Sequence, residues 1–266
     1  MDLELMGRVA IVTGGIMGTG KACVEALASQ GVRVATCGRG IEALTAAAEE
    51  ISSKTETEVL PIQADLTNPE DVKRFIATAY DRFGRIDMLV NNATLTNRRL
   101  DSGGSSLDIS DEEWWNHFNI KLIGDVRCVR ESLPHMRERK WGRIINMAGG
   151  GARSGGGTQG AVNAAVINFT KVLSDAVAKD GITVNAIHPS RGREISMVRL
   201  EEYAERKGIS IEEARAERTL RQQQRVGPQA EGIDVANMVL FLASGKAAAI
   251  TGQTISVTGL SNSVYY

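Results

Sequence analysis

The chain has 266 residues, 42% of them hydrophobic and 5% aromatic, with 28 glycines and a formal net charge of −1. That length and apolar content suit one large α/β core, and the near-zero charge argues against nucleic acid or an anionic membrane surface as partner. Cys23, Cys37 and Cys128 lie far apart, so neither a disulfide framework nor a metal cluster is expected. No apolar run reaches the roughly 18 residues of a membrane span, and the acidic start Met1-Asp2-Leu3-Glu4 has no signal-peptide pattern. A cytoplasmic setting is the expectation.

Short β-branched runs alternate with helical segments along the chain. Strand one is predicted over Arg8 to Thr13 and a helix over Gly18 to Gln30. Strand two follows over Val32 to Cys37, an Ala-rich helix over Ile41 to Ser53, and strand three over Val59 to Ala64. Asn68-Pro69-Glu70-Asp71 supplies an N-cap, a proline at the first helical position and an acidic first turn, opening a helix to about Phe83. Strand four spans Ile86 to Asn91. Ser110-Asp111-Glu112-Glu113 has capping-box spacing and opens one long helix, to near Arg139. Strand five covers Arg143 to Met147, a helix Gly160 to Lys179, and strand six Ile182 to Ile187. An Arg- and Glu-rich stretch, 194–225, reads as two inserted surface helices forming a lid over the substrate site. A helix from Glu231 to Ala243 and a strand from Thr254 to Val257 complete the pattern. The alternation predicts a single domain over 1–266, a Rossmann-type, doubly wound parallel sheet of about seven strands with helices on both faces.

Thr13-Gly14-Gly15-Ile16-Met17-Gly18-Thr19-Gly20 lies between strand one and its helix. In that context glycines let the backbone turn and approach a pyrophosphate held at the helix N-terminus. Further on stand Asp65-Leu66, Asn91-Asn92-Ala93, the GRIIN strand, NAAVINFTK, VNAIHP and ITGQTISV. On these segments the chain resembles the short-chain dehydrogenase/reductase family over nearly its whole length. The resemblance implies a nicotinamide dinucleotide held by Gly14, Met17, Gly18, Gly20, Asp65, Leu66, Asn92, Ala93 and Pro189. It has Thr94 and Ser190 where the family pattern has glycine. No acidic residue ends strand two, and Arg39 stands ready for the 2′-phosphate of NADP. NADP(H) is therefore expected over NAD(H), or no cofactor if the site is degenerate.

The resemblance also implies a Tyr, a Lys, a Ser and an Asn in catalysis, and this sequence lacks all four. Gln159 falls at the Tyr position, Asn163 at the Lys position, Gly149 at the Ser position and Lys121 at the Asn position. The ordinary family acid/base pair is thus missing. Lys121 is the candidate catalytic residue, with His188 and Arg153 as candidate helpers. Arg191, Arg193 and Tyr203 are weaker candidates, and Tyr203 is expected to face a core.

Two functions remain open. One is an atypical oxidoreductase-derived enzyme acting on a small carbonyl or hydroxyl compound through Lys121, by hydride transfer or a non-redox step. The other is an inactive subunit supporting an active paralogue. A homo- or hetero-oligomer is expected in either case, with helices 111–139 and 160–179 at its interface by resemblance. No nucleic acid, membrane or metal is expected as a partner.

Overall fold

A computed structural model describes residues 2–95, 109–149, 152, 157–189, 197–223 and 230–258. Its seven strands are β1 (Val9–Thr13), β2 (Arg33–Gly38), β3 (Val59–Gln63), β4 (Met88–Asn91), β5 (Gly142–Met147), β6 (Ile182–Pro189) and β7 (Thr254–Val257). They form one sheet in the order β3-β2-β1-β4-β5-β6-β7, and all neighbours are parallel. The helices are α1 (Gly18–Ser29), α2 (Ile41–Thr55), α3 (Pro69–Phe83), α4 (Asp111–Phe118), α5 (Gly124–Glu138) and α6 (Gly157–Val177), then α7 (Met197–Lys207), α8 (Ile211–Gln223) and α9 (Gly232–Ala243).

The two faces of the sheet explain the apolar strands. Along β1, Ala10 and Val12 join the buried cluster that holds Val24 and Leu27 of α1, Ile51 of α2 and Val239 of α9. Val9 and Ile11 point the other way, onto Val72 and Phe75 of α3, Cys128 and Met136 of α5 and Val177 of α6. Successive strand side chains alternate faces, so a strand covered on both sides must be apolar throughout. β1 is accordingly buried at every position.

The start signals behave as their chemistry requires. Asn68 accepts from the Glu70 N–H at 3.0 Å at the head of α3. Ser110 and Glu113 form a reciprocal capping box at the head of α4. The helix expected to run unbroken from 111 to 139 does not. It is interrupted by a π-turn, Asn119–Ile123, between α4 and α5. The neighbouring helix starts earlier than expected, at Gly157, and ends at Val177, where a 3-10 turn takes over. α7 and α8 share a small core of their own, Leu200, Tyr203, Ala204 and Ala214. Tyr203 therefore faces that core, and its hydroxyl donates to Glu217 Oε2 at 2.8 Å. No helix among the described residues is long and apolar enough to cross a membrane.

Candidate functional site

The carboxyl ends of the strands meet in one crevice. Gly14 follows β1, Gly38 ends β2, Asp65 follows β3, Asn92 follows β4, Gly149 follows β5 and Pro189 ends β6. Open parallel sheets bind ligands there.

The glycine loop is built by close contacts. Gly14 has φ +67°, a left-handed conformation that favours glycine, and its N–H donates to the Cys37 carbonyl at 3.0 Å. A Cβ on Gly20 would lie 2.2 Å from the Gly14 carbonyl oxygen and 2.5 Å from Asn92 Nδ2. The Gly15 N–H donates to Thr36 Oγ1 at 3.1 Å. α1 then begins at Gly18, with exposed Met17 at its N-cap, no side-chain cap and no acidic residue in its first turn. An N-terminus left uncapped keeps its N–H groups and dipole for an anion. The loop therefore fits a diphosphate.

Asn92 acts on this loop from behind. Its Nδ2 donates to the Thr13 and Gly14 carbonyls at 2.9 and 3.0 Å. The N–H groups of Asn92 and Ala93 donate to Thr13 Oγ1. The Asn92 side chain, expected at the cofactor, ties β4 to the turn after β1.

Beside the loop, a cleft of about 150 Å³ is lined by Gly14, Arg39, Asp65, Leu66, Ala93 and Ile120, among others. Arg39 is exposed and has no ion pair or side-chain hydrogen bond among the described residues. Its backbone carbonyl accepts from Gln63 at 2.8 Å. Asp65 Oδ1 accepts from the Thr67 N–H and hydroxyl, both at 2.8 Å. The cleft wall is pinned to the π-turn by Arg127, whose Nη1 donates to the Leu66 carbonyl at 2.9 Å and to Asn119 Oδ1 at 2.8 Å.

The residues expected at the catalytic positions lie on the π-turn, after β5 and on α6. Lys121 is the buried residue of the π-turn. Burial lowers its ammonium pKa, and Asp125 opposes that shift. Asp125 is itself buried, and neither carboxylate oxygen has a hydrogen-bond partner among the described residues. Burial pushes its pKa well above the usual carboxylate range, against the pull of Lys121. π-turns inside helices are often found at functional sites.

Gln159 and Asn163 lie one turn apart on α6, Gln159 half-buried and Asn163 buried. Asn163 reaches Gly149: a Cβ built there would lie 2.4 Å from its Nδ2. His188 is buried near the end of β6, and burial lowers its pKa. Pro189 is half-buried at the end of the same strand. Arg153, Arg191 and Arg193 lie outside the described residues.

Two polar residues escaped the sequence reading. Asp125 carried a signal, because His117, Lys121 and Asp125 recur at every fourth position and all three are buried. His117 Nδ1 and Thr158 Oγ1 share a hydrogen bond of 3.0 Å between α4 and α6. Their separation of 41 residues left nothing local to read.

A doubly wound sheet with a glycine-bounded anion cradle at its carboxyl edge defines a Rossmann-type nucleotide-binding fold. The chain belongs to the short chain dehydrogenase family, whose pattern matches residues 8–196. The 3-oxoacyl-acyl-carrier-protein reductase of Aquifex aeolicus is 31% identical over 262 residues, covering 97% of this chain and 99% of that one. Among solved structures, the L-sorbose reductase of Gluconobacter frateurii complexed with NADPH and L-sorbose is 27% identical. It superposes with a TM-score of 0.89 over 99% of this chain and all (100%) of that one. A variant of actinorhodin polyketide ketoreductase with NADPH is 32% identical, with a TM-score of 0.84 over 95% of this chain and 96% of that one.

Proposed function

We propose that this chain is an atypical short-chain dehydrogenase that binds NADP(H) and reduces a small carbonyl compound, or oxidises the matching alcohol, through a site centred on Lys121. The observation that carries the cofactor half is the uncapped N-terminus of α1 over the Gly14–Gly20 turn, beside Arg39, which is unpaired among the described residues. Arg39 offers a bidentate partner for a 2′-phosphate, and no carboxylate at the end of β2 competes for a ribose hydroxyl. Both NADPH-bound relatives share the fold and agree with this choice.

When bound, the nicotinamide supplies or accepts the hydride at the substrate carbon. The protein's own work is at the oxygen. Lys121, desolvated on the π-turn, has its pKa lowered toward the working range of a proton donor and acceptor. Asp125, one turn on, supplies a second proton-holding group, itself shifted upward. Gly149, Gln159 and Asn163 bring no titratable proton, which supports a mechanism that does not use a Tyr. His188 and Arg153 are assigned supporting roles around the substrate, and segment 194–225 the role of a lid.

The same three residues favour a second function: a subunit that keeps the nucleotide site while a paralogue does the chemistry, in a mixed oligomer. The two are separated by titrating the purified protein with NADPH and NADH, then following NADPH oxidation with a 3-oxoacyl thioester and with L-sorbose. NADPH binding with turnover that disappears in Lys121→Met supports the enzyme. NADPH binding without turnover, and an active paralogue co-purifying from the native cell, supports the second function. Failure to bind either nucleotide overturns both.

A further inference from the structure

We infer that the Asn163 amide is a hydrogen-bond donor to the substrate carbonyl oxygen, working from space that Gly149 leaves open. This rests on the function proposed above for the same crevice.

The contact between these residues is unusually close. A Cβ on Gly149 would lie 2.4 Å from Asn163 Nδ2, 3.1 Å from its Cγ and 3.3 Å from its Oδ1. The amide group thus occupies the volume in which any side chain at 149 would begin. It arrives there from α6, one turn beyond Gln159, and sits at the carboxyl edge of β5. The Ala148 N–H, donating to the Ile187 carbonyl at 2.8 Å, fixes that edge against β6.

A second observation says that the amide is not there to satisfy itself. Asn163 is 6% exposed, and its Oδ1 is enclosed without a hydrogen-bond partner. No described residue bonds its Nδ2. A buried primary amide ordinarily finds partners for both ends. An amide held in a crevice with none is placed at a cost that a ligand can repay by accepting from its N–H. The matching ligand group is an acceptor oxygen, which a carbonyl provides. Because the amide does not titrate, this donor works equally at any pH near neutrality.

Gly149 also supplies a mild way to remove the donor. Its φ is not left-handed, and the clashing atoms are the far end of a side chain. Gly149→Ala should therefore displace the amide while the backbone stays.

The test uses the full-length protein, with acetoacetyl-N-acetylcysteamine as the probe thioester. Its binding is followed by saturation-transfer NMR with and without NADPH, and its reduction by NADPH absorbance. Asn163→Asp, which exchanges the donor for an acceptor of the same shape, and Gly149→Ala should each lower kcat/KM at least tenfold. NADPH affinity should stay as in the unaltered protein, and so should the melting temperature of Gly149→Ala. Gly149→Ser combined with Asn163→Ala, which puts a hydroxyl donor into the same volume, should recover part of the loss. The inference is overturned if both single variants behave like the parent, or if the parent does not bind the thioester. Loss of NADPH binding by the parent would instead overturn the proposed function, while thioester binding without cofactor would still report on Asn163.

Discussion

Asp125 lies one helical turn beyond Lys121, both are buried, and Asp125 is the charged group that acts on the Lys121 ammonium. Two opposed charges away from water lose more solvation than their attraction returns unless further hydrogen bonds assist. Here the carboxylate has none among the described residues. The pair is therefore expected to cost the fold stability rather than add to it. Replacing both, as Lys121→Met with Asp125→Val, should raise the unfolding free energy by about 1–4 kcal/mol while abolishing turnover. Urea titration and NADPH oxidation measure the two effects side by side, and a destabilised double variant would contradict the argument.

His188 gives a pH dependence of definite sign. Burial lowers its folded pKa below the ordinary 6.5. Below that value the unfolded chain takes up a proton that the folded protein refuses. Stability should therefore be fully present above pH 6.5 and decline as pH falls through the window down to the folded pKa, by at most about 1.4 kcal/mol per pH unit. His188→Asn should remove that part of the slope in denaturation curves recorded between pH 5 and 8.

Asn92 and Gly20 meet at the Gly14 carbonyl: Asn92 Nδ2 donates to it, and a Cβ on Gly20 would lie 2.2 Å from its oxygen. Asn92→Ala leaves the Thr13 and Gly14 carbonyls without this donor. A loss of about 1–3 kcal/mol is expected by urea denaturation, with weaker NADPH binding. Gly20→Ala is expected to be worse for binding, because the added carbon meets the Gly14 backbone oxygen, which cannot swing aside. Near-normal NADPH affinity in Gly20→Ala would show that the loop is not the nucleotide cradle.

The contrast between these residues shows where the sequence is informative. Local chemistry was legible: Asn68, Ser110 with Glu113, and the glycines after β1 act on neighbours a few residues away. The sheet was legible too, because strands covered on both faces read as apolar runs. The π-turn was not, since Asn119–Ile123 contains neither glycine nor proline to break a helical pattern. Nor were Asn163 on Gly149 and His117 on Thr158, which depend on how α4 and α6 pack. Gly149 and Asn163 could be picked out from the sequence as candidates, but not that the amide of one lies over the other.

Arg39 sets the expected choice of nucleotide. Arg39→Ala would remove the charge-assisted, two-pronged contact proposed for the 2′-phosphate, worth about 1–3 kcal/mol. NADPH affinity should fall about 10- to 100-fold and NADH affinity should change little. Equal losses for both nucleotides would place Arg39 away from the 2′-phosphate.

The most direct measurement compares the unaltered protein with Lys121→Met for NADPH binding and for NADPH oxidation in the presence of a 3-oxoacyl thioester. The account predicts unchanged NADPH affinity and turnover reduced at least a hundredfold in the variant. Equal turnover in the two proteins would contradict a site centred on Lys121.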